Sequence, residues 1–339
     1  MNASRTPNRE TANRFAVKGM TLLELLLVMV LMGVVMGFGI GGFAAFDPGS
    51  GAAIETVRGA LRSAVNKAKS ERAPAVVRID RTNSVVTPRG LGVVGTWHFE
   101  ESAMQGAFGI SGLSTGTNLA KGYLGAAVEF PAGMNARVEF DIQKDPSFEF
   151  SEGFAIECLI APEGGSSAHA ISVGNVFGLY VLSTGAIRAW FVSADAEGES
   201  SGRVVLDSDP ALLLPGQFTR VRIEYDRQRL MIWVEGVFVS ELEASERVAP
   251  IQAPLLLGGG KKAFVGRIDE LVLSAWEAGD PRPLPELVVF DANSTPEEIW
   301  FDAAGHLDSL RHPKPIELTI IHDDGKRQTA RVGRWGTIE

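Results

Sequence analysis

FAIECLI, residues 154–160, decides how the middle of this chain is read. Phe154, Ile156, Cys158 and Ile160 alternate with Glu157 in the opposite phase. A period of two places successive side chains on opposite faces of an extended strand, one face dry and the other wet. The signature recurs on both sides of it. VEFDI, GLYVLS, AIRAWFV, TRVRIEYD, LMIWVEGVFVSEL and RIDELVLS are short alternating runs separated by Gly, Ser, Asp and Pro, and no helical period interrupts them between Val94 and Trp276. Many strands at this spacing predict an all-β sandwich of two sheets. Cys158 shares the apolar phase, and as the sole cysteine of 339 residues it reads as a small buried hydrophobe outside any disulfide.

Outside this region the pattern changes. Residues 18–46 read KGMTLLELLLVMVLMGVVMGFGIGGFAAF, and from Met20 to Phe46 the only ionisable side chain is Glu24. As a helix that run reaches about 40 Å at ~1.5 Å per residue, more than the ~30 Å of a bilayer core, so it is long enough to span a membrane. An acid inside such a run is costly and points to a function with a partner. The formal charge of −9 is split along the chain: residues 1–19 hold Arg5, Arg9, Arg14 and Lys18 against Glu10, a surplus of +3 that leaves −12 for the remainder. A basic N-terminus is expected to stay in the cytoplasm, with everything after Phe46 on the far side. The apolar run exceeds the short h-region of a cleaved secretory signal.

DPGSG, residues 47–51, reads as a helix breaker. Beyond it Ile54, Val57, Leu61, Val65 and Ala68 recur at three- to four-residue intervals, an amphipathic helix ending before Pro74. AVVRIDRTNSVVTPRG, residues 75–90, alternates as two short strands around Arg81, Thr82 and Asn83. Near the C-terminus, WFDAAG supplies a turn and IELTIIHDDGKRQTARVGRWG a hairpin bending at Asp324 and Gly325. DPRPLPE, residues 280–286, reads as a Pro-rich linker.

GMTLLELLLVMVLMGVV, read from Gly19, resembles the type IV pilin and type II secretion pseudopilin signature: a basic leader ending in Gly, a hydrophobic residue, Thr, Leu, any residue, then Glu. The resemblance implies cleavage between Gly19 and Met20 by a prepilin peptidase, methylation of the new Met20 amine, and pairing of Glu24 with the amine of a neighbouring subunit in a filament. It also implies a single-pass protein of the bacterial inner membrane, its globular part periplasmic. The opening helix and hairpin together with the closing F-D-x-x-G turn and hairpin resemble the H-type minor pseudopilins, with nearly two hundred residues inserted between them. Family members usually run the two N-terminal helical segments as one, so DPGSG is a departure.

The insert carries its own resemblance. GTWHFEE, GAAVEF, FAIECLIAP, TRVRIEYD followed by LMIWVEGVFV, and the closing GRIDELVLSAW follow the order of the laminin-G-like, concanavalin-A-like jelly roll. The expected organisation is therefore α+β: leader 1–19, transmembrane and assembly helix 20–46, helix and first hairpin 47–91, jelly-roll insert 92–278, and linker with C-terminal hairpins 279–339.

Such jelly rolls include carbohydrate-binding modules and glycosidases. Glycosidases of this fold set E-x-D-x-x-E on one strand, since alternate positions share a face and can flank a glycosidic bond. The nearest approaches, Glu224-Tyr225-Asp226 and Glu139-Phe140-Asp141, end three residues later in Arg229 and Lys144, cations where the second acid should stand. The expectation is a non-catalytic subunit recognising cargo, a partner or a glycan, with a pilin-anchored carbohydrate-binding adhesin as the alternative and a membrane-tethered glycosidase as the third reading. Relatives often bind calcium, for which Glu100, Glu101 and Asp269 supply hard oxygens; the competing reading is solvated loop carboxylates. Among Trp97, Trp190, Trp233 and Trp276 as sugar-stacking faces, Trp190 is the candidate, and Trp233 in its apolar run reads as core.

Other chemistries find no pattern. The acidic balance and scattered Lys and Arg disfavour nucleic acid. His98, His169, His306, His312 and His322 show no zinc spacing, no Ser-His-Asp order stands out, and Gly258-Gly259-Gly260-Lys261-Lys262 lacks P-loop spacing and reads as a turn with a solvated charge pair.

Overall fold

The computed structural model describes residues 22, 26–32, 48–100, 110–133, 135–164, 167–195, 197–259 and 262–339. They divide into two units, 1–52 and 53–339. In the first, Leu22 and residues 26–32 are helical and exposed. Gly19, Met20 and Glu24 lie outside the described residues, as does most of the apolar run. Among the described residues no helix is long and apolar enough to cross a membrane.

Helix α1 spans Pro48–Glu71. Pro48 to Gly51 of DPGSG form its first turn, where proline's missing N–H costs nothing, while Asp47 and the expected break from the apolar run before it lie outside the described residues. Ile54, Val57, Leu61, Val65 and Ala68 are all buried, as their spacing predicts. The helix stops where Arg72 turns to φ 50° before Pro74.

Strands β1 (Ala75–Asp80) and β2 (Val85–Trp97) form the expected hairpin, with Asp80 Oδ1 accepting the amides of Thr82 and Asn83 at 3.0 and 2.9 Å. The middle of the chain then contributes β3 (Leu113–Thr115), β4 (Asn118–Lys121), β5 (Ala126–Phe130), β6 (Arg137–Phe140), β7 (Phe154–Pro162), β8 (Ala168–Val173), β9 (Phe177–Val181), β10 (Ile187–Ala194) and β11 (Ser200–Asp207). It continues through β12 (Thr219–Tyr225), β13 (Arg229–Val234), β14 (Val237–Glu243), β15 (Arg247–Val248), β16 (Leu255–Gly258) and β17 (Gly266–Ala278). The C-terminal part adds β18 (Arg282–Pro283), β19 (Val288–Phe290), β20 (Glu298–Phe301), β21 (Ile316–His322) and β22 (Arg327–Val332).

These strands make an all-β sandwich. The front sheet runs β14-β13-β12-β7-β17-β2-β1-β20, and the back sheet β11-β10-β9-β8-β16-β6-β3. Phe154, Ile156, Cys158 and Ile160 of β7 all face the core between them. There Phe154 stacks on Phe177 across the sheets with ring centroids 3.9 Å apart, and Phe191 on Tyr225 at 4.2 Å. Each such ring stabilises the fold by about 1.5–3 kcal/mol relative to leaving it in water.

A second hydrophobic core lies at one end of the front sheet. The apolar stripe of α1 packs with Val77 and Ile79 of β1, Ile299 and Phe301 of β20, and Leu318 and Ile320 of a three-stranded sheet ordered β19-β21-β22. This helix-and-sheet base is thus built from both ends of the 53–339 unit around the sandwich. No slack joins the two parts. β2 and β17 pair from Leu271↔Trp97 through to Ala278↔Arg89, so one sheet passes from sandwich to base. Residues 280–286, expected as a linker, are pinned: β18 pairs with β2, and the buried Leu284 donates its amide to Ser84 O at 2.8 Å.

Candidate functional site

The two sandwich sheets carry different chemistry on their outer faces. On the front sheet, Arg220, Arg222 and Glu224 of β12 stand beside Glu157 of β7 and Trp233 of β13. With Trp300, Asp308 and Arg311 of the base they line a cleft of about 400 Å³. Arg222 is 2.6 Å from Glu224 and 3.7 Å from Glu157, Arg220 is 3.8 Å from Glu157, and Arg311 is 3.7 Å from Asp308. Every arginine here faces a carboxylate. Arg311 also lies over the Trp300 ring at 3.7 Å, although its Nη1 has no hydrogen-bond partner.

Neither acidic pair forms a hydrolytic dyad. Glu224 is committed to Arg222, while the fully buried Asp226 turns its Oδ1 to the amides of Gln228 and Arg229 at 2.9 and 2.8 Å. Glu139 pairs with Arg137, and Asp141 with Lys144 at 3.5 Å.

The outer face of the back sheet is arranged otherwise. The register aligns His169, Tyr180, Arg188 and Asp207 in one cross-strand row, and Ser172, Gly178, Trp190 and Val205 in the next. A bulge in β8 between His169 and Ile171 re-aims His169, as bulges do beside binding sites. Trp190 faces a glycine across the strand, and Gly178 admits no side chain, since a Cβ there would stand 2.1 Å from Ile171 O. The result is a cavity of about 260 Å³ among His169, Tyr180, Trp190, Arg203 and Lys262. A neighbouring cavity of about 410 Å³ beside Ser172 and Asn175 shares His169 and Lys262 with it, so the two form one groove.

Charge in this groove is uncompensated. Arg188 is held by Asp207 through two contacts of 2.6 and 2.7 Å, but among the described residues neither Arg203 nor Lys262 has an acidic partner. His169 N donates to Lys262 O at 3.3 Å, which keeps the lysine beside the groove. Gly258 and Gly259, at φ 66° and 75°, let the preceding loop turn in the left-handed region. Lys262 therefore faces a cavity, whereas Lys261 lies outside the described residues. Burial, then Arg203 and Lys262, lower the His169 pKa and favour its neutral form.

Trp190 is placed differently from the sugar-stacking expectation. It is only 3% exposed, and Arg203 covers one face of its ring at 3.8 Å. Its Nε1 is buried and, like His169 Nδ1, has no hydrogen-bond partner among the described residues. A buried polar group without a partner costs about 1–3 kcal/mol. Trp97 and Trp276 are buried, and Trp233 faces the front cleft instead of the core. Leu230 and Ile232 of β13 point into the core, so alternation sends Trp233 to the outer face opposite Arg222.

The calcium candidates act as backbone anchors. Asp269 is fully buried; its Oδ2 accepts the amides of Tyr123 and Leu124 at 2.9 and 3.4 Å and its Oδ1 that of Glu270 at 2.9 Å. Burial raises its pKa despite those bonds. Glu100 Oε2 accepts Ala126 N at 3.1 Å, and Glu101 lies outside the described residues. Calcium takes about 6–8 oxygens. Among the described residues no group of three or more His, Cys, Asp or Glu side chains converges to hold a metal, so the donors in view do not make a cage.

No protein-family model matches the chain, and no curated protein matches it. Likeness is found to solved structures. Domain 4 of AbnA, a GH43 extracellular arabinanase from Geobacillus stearothermophilus in complex with arabinotriose, aligns with TM-score 0.42 and 15% identity over 55% of this chain and 93% of that one. The binding domain of Paraclostridial Mosquitocidal Protein 1 aligns with TM-score 0.44 and 13% identity over 53% of this chain and 48% of that one. The Ruminococcus gnavus IT-sialidase CBM40 bound to α2,3 sialyllactose gives 0.34 and 17% over 43% of this chain and 88% of that one. The chain thus spans about half the length of the toxin binding domain. Likeness at this level carries no residue's role across.

Proposed function

We propose that this protein is a non-catalytic, pilin-like subunit that carries a recognition sandwich. In this reading a prepilin peptidase cuts between Gly19 and Met20, the Met20 amine is methylated, and Glu24 pairs with a neighbouring subunit as the chain moves from the inner membrane into a periplasmic pseudopilus or pilus-like filament. A buried carboxylate is tolerable there only when matched, which would make Glu24 a register device. The sandwich rides on that subunit and engages a glycan, cargo or partner.

The observation that carries the proposal is the nested architecture. The helix-and-sheet base has a core of its own and is built from both ends of residues 53–339, as an insertion into a pre-existing small domain requires. The absence of a carboxylate dyad among the described candidates supports binding over hydrolysis. Glu24→Ala is expected to leave leader cleavage largely intact and abolish incorporation into filaments. Incorporation of that variant at the wild-type level would sink the proposal.

A pilin-anchored carbohydrate-binding adhesin is the second reading, favoured by the unpaired groove on the back sheet. Glycan capture by cells that make the protein but no filament would select it.

A further inference from the structure

We infer that the back-sheet groove binds an acidic sugar, seating a ring carboxylate or sulfate between Arg203 and Lys262. The inference rests on the reading of the sandwich as a recognition module and adds the class of ligand. Two cations at one cavity without an acidic partner among the described residues form an anion site by charge. The guanidinium of Arg203 is already oriented by stacking on Trp190, and its planar fork suits a carboxylate or sulfate.

The size of the cavity selects a ring. At about 260 Å³ the cavity beside Arg203 lies below the ~300–1,000 Å³ of drug-sized sites, which suits one ring, and the adjoining cavity leaves room for the chain to continue. An aspartate or glutamate from a protein partner would meet the cations but leave most of the volume empty. Nucleic acid is disfavoured by a formal charge of −9.

The test uses the purified full-length chain in detergent, titrated with galacturonate, glucuronate and 6-sulfogalactose oligosaccharides, their neutral counterparts of the same linkage, and an oligoglutamate peptide. Saturable binding of an acidic oligosaccharide at least tenfold tighter than its neutral counterpart is expected. Arg203→Ala should weaken it tenfold or more and Lys262→Ala several-fold, both with the native circular dichroism spectrum retained. Equal binding of acidic and neutral sugars, or acidic binding indifferent to Arg203→Ala, overturns the inference while leaving a glycan-recognition module in place. Binding of oligoglutamate with silence from every sugar overturns it in favour of a protein partner. Silence from all probes in a protein with native melting overturns it as well, whereas the filament reading falls only with normal incorporation of Glu24→Ala.

Discussion

The two outer faces of the sandwich hold similar residue types and use them in opposite ways. On the front, Arg220, Arg222 and Arg311 each face a carboxylate, and the base closes over part of the surface. On the back, Arg188 is matched by Asp207, but Arg203 and Lys262 stand beside a buried tryptophan N–H with no acidic partner among the described residues. Matched charges within a fold cancel and hold neighbouring parts together. Charges left over around a cavity keep their attraction for something outside, so the front face reads as structure and the back face as recognition.

The sharpest break should come at the joint behind the front face. Arg89 is 2% exposed, donates to Asp226 O at 2.9 Å and to Glu152 O at 2.5 Å, and lies 3.4 Å from the Glu152 carboxylate. Burial, then repulsion from Arg78, lowers its pKa to about 10, which still leaves it charged at neutral pH. Removing it strands buried acceptors, so Arg89→Ala is expected to lose about 3–5 kcal/mol in urea unfolding. Glu224→Ala leaves Arg222 without its nearest acid and should lose about 2 kcal/mol while leaving sugar binding on the far sheet unchanged. If Glu224→Ala reduced that binding as much as Arg203→Ala, the division between the faces would fail.

Smaller effects sharpen the contrast. Arg203→Ala removes a side chain stacked on Trp190 and should lower stability by about 0.5–1 kcal/mol, although it takes a cation out of the groove. Asp207→Asn breaks a half-exposed ion pair, where solvent screening limits the stability change to about 1 kcal/mol at most. It frees Arg188 beside the cavity, so affinity for an acidic sugar should rise by about threefold in calorimetry. At the inner side of the front sheet, burial pushes the Cys158 thiol up to about 12. A thiol reagent should therefore leave the folded protein unmodified and label it fully once unfolded.

Much of the fold is written in local periodicity. The alternating Phe154, Ile156, Cys158 and Ile160 of FAIECLI lie in the core, and the helical stripe from Ile54 to Ala68 lies buried as spaced. The 75–90 hairpin was equally legible, but its second strand runs on to Trp97 through Gly92 and Gly95, residues that weaken a strand on propensity alone. Packing explains one of them: a Cβ on Gly95 would stand 2.3 Å from the Trp97 ring. The Pro-rich residues 280–286 looked like a linker because extended proline segments need no partner, yet β2 offered one.

The groove was almost invisible by the same logic. Trp190 reads in the sequence as a stacking face, but Arg203 covers that face. His169, Tyr180, Arg203 and Lys262 were not singled out as a site because each lies on a different strand or loop, and each looks like an ordinary polar position within its own segment.

The sequence by itself determined the alternation that makes strands, the apolar stripe of α1, and the motif from Gly19 to Glu24 on which the filament proposal depends, because these are properties of neighbours along the chain. Only the tertiary structure decided which alternating residues share a row. Cross-strand register and the bulge at His169 brought Arg203, Lys262 and Trp190 to one cavity, and a one-residue slip would have sent each strand's contribution to the opposite face.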